Sequence, residues 1–245
     1  MKTTMCACAS IALCAPAALA QFGLSSQERS VQGTAQLTSG QEDSGFAEAP
    51  GYGVFDESVD GSVSGTGGAM ASIHASQSST ITPSTISGTL EASGQVATGS
   101  TFVVGQSDGW SNFLVLFSLA APTPVTFTAS GSMSFVGINP DGEPSDLYGV
   151  TRVSLLDADT FDPIAGFSFQ GGDYDQSAEF AGTLAAGNYA IIARAEFHAY
   201  SADLLGPPAR SGSGESTAAF SLTVVPAPAS ALLMSCGLLV ARRRR

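Results

Sequence analysis

Between residues 21 and 225, apolar and polar positions alternate in short runs separated by clusters of Gly, Pro, Asn, Asp and Ser. No long stretch places apolar residues at i, i+3, i+4 and i+7, so helix is disfavoured. Period-two alternation is the mark of a strand buried on one face, and many short strands between turn residues predict an all-β sandwich. The expected strands are 31–38, 51–63, 70–76, 85–91, 101–104, 112–119, 124–136, 149–157, 164–169, 177–184, 188–200 and 217–225.

Residues 58–101 have a different texture, with Gly, Ser, Thr and Ala filling 30 of 44 positions. Such a composition fits a flexible linker. However, Ala69, Ala71, Ile73 and Ala75 alternate with Met70, Ser72, His74 and Ser76, which favours strands of small residues. Small side chains let two sheets approach closely and bury less surface, so this half is expected to be the less stable.

The two ends read as addresses. Lys2, an apolar run from Met5 to Leu13, and then Ala18-Leu19-Ala20 before Gln21 have the order of a secretory signal peptide cleaved after Ala20. At the other end, Val225-Pro226-Ala227-Pro228 precedes an apolar stretch and the block Arg242-Arg243-Arg244-Arg245. As a helix, residues 229–241 would cover about 20 Å, short of a roughly 30 Å hydrocarbon core, and the arginine block would hold its end on the cytoplasmic side. Motif, hydrophobic segment and basic terminus together resemble the PEP-CTERM sorting signal of bacterial exosortase substrates, with Pro-Ala-Pro where that family usually has Pro-Glu-Pro. The resemblance implies export, transient inner-membrane anchoring, cleavage by an exosortase-type enzyme, and release to the cell surface or extracellular matrix. The chain therefore divides into a signal peptide (1–20), a sandwich ectodomain (21–225) and a sorting segment (226–245).

Within the body, the strand 113–119, the Pro-containing turn before 124–131, the segment Leu155-Leu156-Asp157, the run Leu184 to Tyr189 and a closing strand resemble the bacterial pre-peptidase C-terminal type of domain. That likeness implies an antiparallel jelly-roll-like β-sandwich, often non-catalytic and sometimes binding calcium or polysaccharide. In the run 184–189, Gly187 is expected to take a positive φ in a hairpin, and Tyr189 to cover an edge of the core.

Composition narrows the function. Charged residues are only 12% and hydrophobic ones 44%, so there is material for a core. The body holds Arg29, Arg152, Arg194 and Arg210 against all 21 acidic residues, a net −17, which excludes a nucleic-acid-binding face. Cys6, Cys8, Cys14 and Cys236 all lie outside the body, which removes a disulfide scaffold or thiolate metal site there.

Candidate chemistry is sparse. Gly105-Gln106-Ser107-Asp108-Gly109 matches the G-x-S-x-G nucleophile elbow, with His198 downstream, but strand-like sequence follows where that motif needs a helix. Asp108-Gly109 is read instead as a hairpin turn. Asp157, Asp159 and Asp162 place three carboxylates in one loop, a candidate calcium site that lacks EF-hand spacing, and turn-forming aspartates are the simpler reading. Arg194, Glu196, His198 and Tyr200 share one strand face, either solvated or an exopolysaccharide-binding surface. The polysaccharide reading requires Trp110, Tyr174 or Tyr200 to line a flat exposed face. No catalytic residue and no cofactor is assigned, and the expected role is a structural one at the cell surface.

Overall fold

A computed structural model of the protein describes residues 21–98, 103–138, 146–202 and 211–225. The signal-peptide segment (1–20) and the sorting segment (226–245) lie outside the described residues, whereas the flanking Gln21 and Val225 are described. Twelve strands form the body: β1 (Gly23–Leu37), β2 (Gln41–Glu48), β3 (Gly53–Ser64), β4 (Met70–Ile81), β5 (Thr85–Ala97), β6 (Val104–Leu119), β7 (Thr123–Ile138), β8 (Asp146–Asp157), β9 (Pro163–Gln170), β10 (Tyr174–Leu184), β11 (Gly187–Ala202) and β12 (Ser211–Val224). They make two six-stranded sheets, β2-β1-β6-β11-β8-β9 and β10-β7-β12-β5-β4-β3, with every pairing antiparallel. The expected all-β sandwich is what the chain forms, and residues 58–98 are strands, not a linker.

Two local expectations are corrected and one strand is added. Residues 104–119 are a single strand, so Asp108-Gly109 is strand interior, paired on both sides by β1 and β11, and makes no hairpin turn. The run from Leu184 to Tyr189 is a crossover, because β10 belongs to the second sheet and β11 to the first, and Gly187 has no positive φ. Strand β2 carries no alternation signal because it is an edge strand exposed along most of its length.

The core is uneven along the strands. Towards the pole that holds the β4–β5, β6–β7 and β10–β11 connections, large side chains meet between the sheets, among them Phe113, Phe117, Phe127, Leu155, Ile191 and Leu222. Phe113 packs edge-on against Phe220 with ring centroids 4.7 Å apart, and Tyr189 stacks on Phe117 at 5.6 Å. Towards the other pole most buried positions become small, among them Ala35, Ala69, Ala71, Ala199 and Ser107, with Leu37 and Val96 the larger ones.

Between the two regions lies a waist. Ladder register aligns Gly45, Gly33, Gly109, Phe197 and Gly149 across the first sheet. It aligns Gly61, Ile73, Gly94, Gly214 and Phe135 across the second. Each large residue of one row fills the space left by glycines of the other. Ile73 would lie 2.6 Å from a Cβ on Gly109 and 3.0 Å from one on Gly33, Phe197 2.6 Å from one on Gly94, and Phe135 2.7 Å from one on Gly149. These glycines serve close approach of two sheets, for which no side chain is small enough.

Both ends of the body leave at the broad pole. The Phe22 N–H donates to the Pro83 carbonyl (2.7 Å), the Val224 N–H to the adjacent Ser84 carbonyl (3.0 Å), and the Val225 N–H to the Pro124 carbonyl (2.9 Å).

Candidate functional site

The Gly105–Gly109 run has a structural explanation. Ser107 is fully buried, and its hydroxyl donates to the Ser72 carbonyl across the sandwich at 2.7 Å. Asp108 points to the opposite face, where its carboxylate meets Nδ1 of His198. Strand alternation thus sends Ser107 inward and His198 outward, and no nucleophile–base pair forms between them. Gly109 follows from the same geometry, since a Cβ there would lie 2.6 Å from Ile73 at the waist, whereas a Cβ on Gly105 would make only ordinary contacts.

The aspartate loop between β8 and β9 is a self-contained turn. Asp157 Oδ1 accepts the N–H groups of Asp159 (2.9 Å) and Thr160 (3.1 Å), and the Asp159 carboxylate accepts from the Asn188 amide at 3.2 Å. Phe161, at φ 62°, completes the turn by donating its N–H to the Asp157 carbonyl. Among the described residues no three His, Cys, Asp or Glu side chains gather to hold a metal ion, so Asp157, Asp159 and Asp162 are not brought together as a ligand set. The geometry is that of aspartates shaping a turn.

Arg29, the largest fully buried side chain with a charge, clamps the β2–β3 connection. Its Nε donates to Gln27 Oε1 (2.8 Å), one terminal nitrogen donates to the Gly53 carbonyl (3.0 Å) and Ser79 Oγ (3.2 Å), and the other donates to the Gly51 carbonyl. The guanidinium also lies 5.5 Å from the Phe55 ring centroid. Burial lowers its pKa from the ordinary value, and all three of its nitrogens donate to oxygens. Arg29 is therefore a structural residue.

The broad outer faces differ. The second sheet presents mostly serine and threonine, and over its glycine row it sinks into a trough of about 730 Å³ bordered by Asp43, Asp60, His74, Ser93, Ser134 and Glu215. Two of these carboxylates are engaged locally: Asp43 Oδ2 accepts the Ser62 N–H (2.9 Å), and Asp60 Oδ1 lies 2.7 Å from His74 Nδ1.

The outer face of the first sheet carries the expected set Arg194, Glu196, His198 and Tyr200 on β11, with Arg194 and Glu196 paired at 2.8 Å. Register sets Trp110 opposite Glu196 and Tyr148 opposite His198, so the aromatic residues stand among paired charges on one continuous surface. Tyr174 belongs elsewhere. It begins β10 in the second sheet and packs against Phe169, with ring centroids 5.2 Å apart. Residues Tyr148 and Phe46, which the sequence reading did not single out, join this face only through cross-strand register.

No protein-family model matches the chain, and no curated protein matches it. Among solved structures, the chain is similar to one from the Gx strain of infectious bursal disease virus, at 12% identity and a TM-score of 0.20. The match covers 85% of this chain and 58% of the viral one, so this chain spans less than two thirds of that structure's length. The functional reading rests on the residues themselves.

Proposed function

We propose that this chain is an exported, non-catalytic structural component of the cell surface or extracellular matrix, processed through a PEP-CTERM-like sorting signal. The observation that carries the reading is the order at the end of the chain: Val225-Pro226-Ala227-Pro228, an apolar segment, and Arg242 to Arg245. The motif begins where the last ladder stops, since Val225 still donates its N–H to Pro124 and is 39% exposed. A processing enzyme of the exosortase type would meet it at the rim of the folded body. On this reading the protein leaves through the inner membrane, is anchored there transiently by its tail, and is then released. The body is assigned a jelly-roll-like winding and requires no cofactor.

The inward-facing Ser107 supports a non-catalytic role. Intact-mass measurement of the protein recovered from the producer's surface tests the proposal. A mature chain beginning at Gln21 and ending near Pro228 is the expected result, and surface protein that keeps Arg242 to Arg245 would refute processing.

A second reading, a secreted polysaccharide-binding module, is supported by Trp110 and Tyr200 standing on one outer sheet face.

A further inference from the structure

One row crossing the outer face of the first sheet has a pattern that no single strand reveals. Register aligns Phe46 on β2 with Gln32 on β1, Gln32 with Trp110 on β6, Trp110 with Glu196 on β11, Glu196 with Val150 on β8, and Val150 with Gln170 on β9. Apolar and hydrogen-bonding side chains therefore alternate from strand to strand across the whole sheet. Neighbouring strands are about 4.8 Å apart, which separates Phe46, Trp110 and Val150 by roughly 9.6 Å each. Phe46 is 59% exposed, so its ring on the edge strand is open to a ligand.

We infer that this row is a binding platform for a neutral, extended, β-linked polysaccharide lying across the strands. The inference rests on the polysaccharide-binding reading and gives it a site and a ligand class. In such a polymer the ring faces carry C–H groups and the ring edges carry hydroxyls. The C–H faces suit Phe46, Trp110 and Val150, while the hydroxyls suit the amides of Gln32 and Gln170 and the carboxylate of Glu196. The spacing of alternate strands is close to the two-sugar repeat of an extended β-linked chain, so every second sugar meets an apolar platform and the sugars between meet a polar group.

The flanking rows add Asp108 beside His198 and Arg194 beside Glu196, with Asn112 and Arg152 nearby. Glu196 pairs with Arg194, Arg194 lies opposite Arg152, and Asp108 meets the His198 ring, so carboxylates and guanidiniums share this face and neither sign prevails. That argues against a polyanion or polycation and for a neutral chain with many hydroxyls. The opposite outer face lacks the pattern: its trough is bordered mainly by carboxylates and hydroxyls, with His74 and Val136, and by no Phe, Tyr or Trp.

Trp110 is the protein's sole tryptophan, so its emission reports on the platform directly. Full-length protein is mixed with soluble cellohexaose, and separately retained on insoluble cellulose, chitin and β-1,3-glucan, with soluble starch as the non-extended control. The expected result is a shift of Trp110 emission with cellohexaose but not with starch, and retention on at least one insoluble glycan. Phe46→Ala, on an exposed edge where folding is spared, should weaken that retention roughly tenfold, the scale of one lost stacking contact. Retention unchanged in Phe46→Ala and lost in His74→Ala would overturn this site while leaving polysaccharide binding in place. No retention on any of the three glycans, together with no emission change, would overturn both.

Discussion

At the broad pole the two sheets are held apart by Phe113, Phe117, Phe127 and Phe220, and beyond the glycine waist the gap is closed mainly by Ala35, Ala71, Ala199 and Ser107, with Leu37 the largest side chain there. The backbone pairing is equally continuous in both regions, since β6 and β11 pair along almost their whole length. What differs is how much apolar area each residue removes from water. At about 25 cal/mol per Å², a buried phenylalanine contributes several times what a buried alanine does. One sandwich can thus hold a strongly packed region and a thin one on the same strands, with stability concentrated where the rings are. The contrast in packing runs across the strands and not between one part of the sequence and another, since β4 and β5 of the small-residue segment run from one pole to the other.

The largest test of this contrast is Phe127→Ala. Its ring is fully buried, and the cavity should cost about 3–5 kcal/mol in denaturant unfolding. The smaller truncation available at the thin end, Val96→Ala, should cost about 1–2 kcal/mol. Equal losses would dissolve the contrast.

Next in size is the waist. Gly94→Ala would place a Cβ 2.6 Å from the Phe197 ring, 2.6 Å from Ser107 Oγ and 2.7 Å from the Ser72 carbonyl. Overpacking of this kind should cost about 1–3 kcal/mol, read as a lower denaturation midpoint. A neutral outcome would mean that the sheets are free to move apart there. At the thin end, Ser107→Ala removes one hydroxyl that donates to a backbone carbonyl, and should cost about 0.5–1.5 kcal/mol by the same measurement.

The smallest effect is one of pH, at the broad pole. Burial, with the Asp157 carboxylate adding to it, raises the Tyr189 phenol above its ordinary value of 10.0. The folded state therefore holds this proton more tightly than the unfolded one. The stability it contributes is complete below about pH 10 and is lost as pH rises through the raised value. Melting temperature followed from pH 8 to pH 11 should fall more steeply in the native protein than in Tyr189→Phe, and parallel curves would contradict the assignment.

Much of this was readable in the chain. Alternation on β4 and on the second half of β11 identifies strands and their faces, because residues two apart report burial locally. The set from Arg194 to Tyr200 falls on one outer face as its spacing implies. Gly105 to Gly109 could be matched to a catalytic motif or a turn, yet Gly109 answers to Ile73, more than thirty residues away. Such a cause is non-local, and only cross-strand register exposes it. The same limit applies to the candidate site: Trp110 and Tyr200 stand out in the sequence, whereas Phe46 and Val150 gain meaning only once β2 and β8 are placed beside their partners. Strand β2 itself escaped detection because an edge strand whose eight residues are all exposed or half-exposed carries no burial contrast to alternate.

The hydrogen bonds of Phe22 and Val224 to the neighbouring carbonyls of Pro83 and Ser84 bring the first and last strands of the body to one spot. A leash attached at either end would therefore hang the domain from its heavily packed pole. Both broad faces would then stand upright beside the leash, like the sides of a pendant, open to long polymers passing on either side. The thin pole would point away from the attachment, where its loss of order would loosen nothing that holds the domain in place.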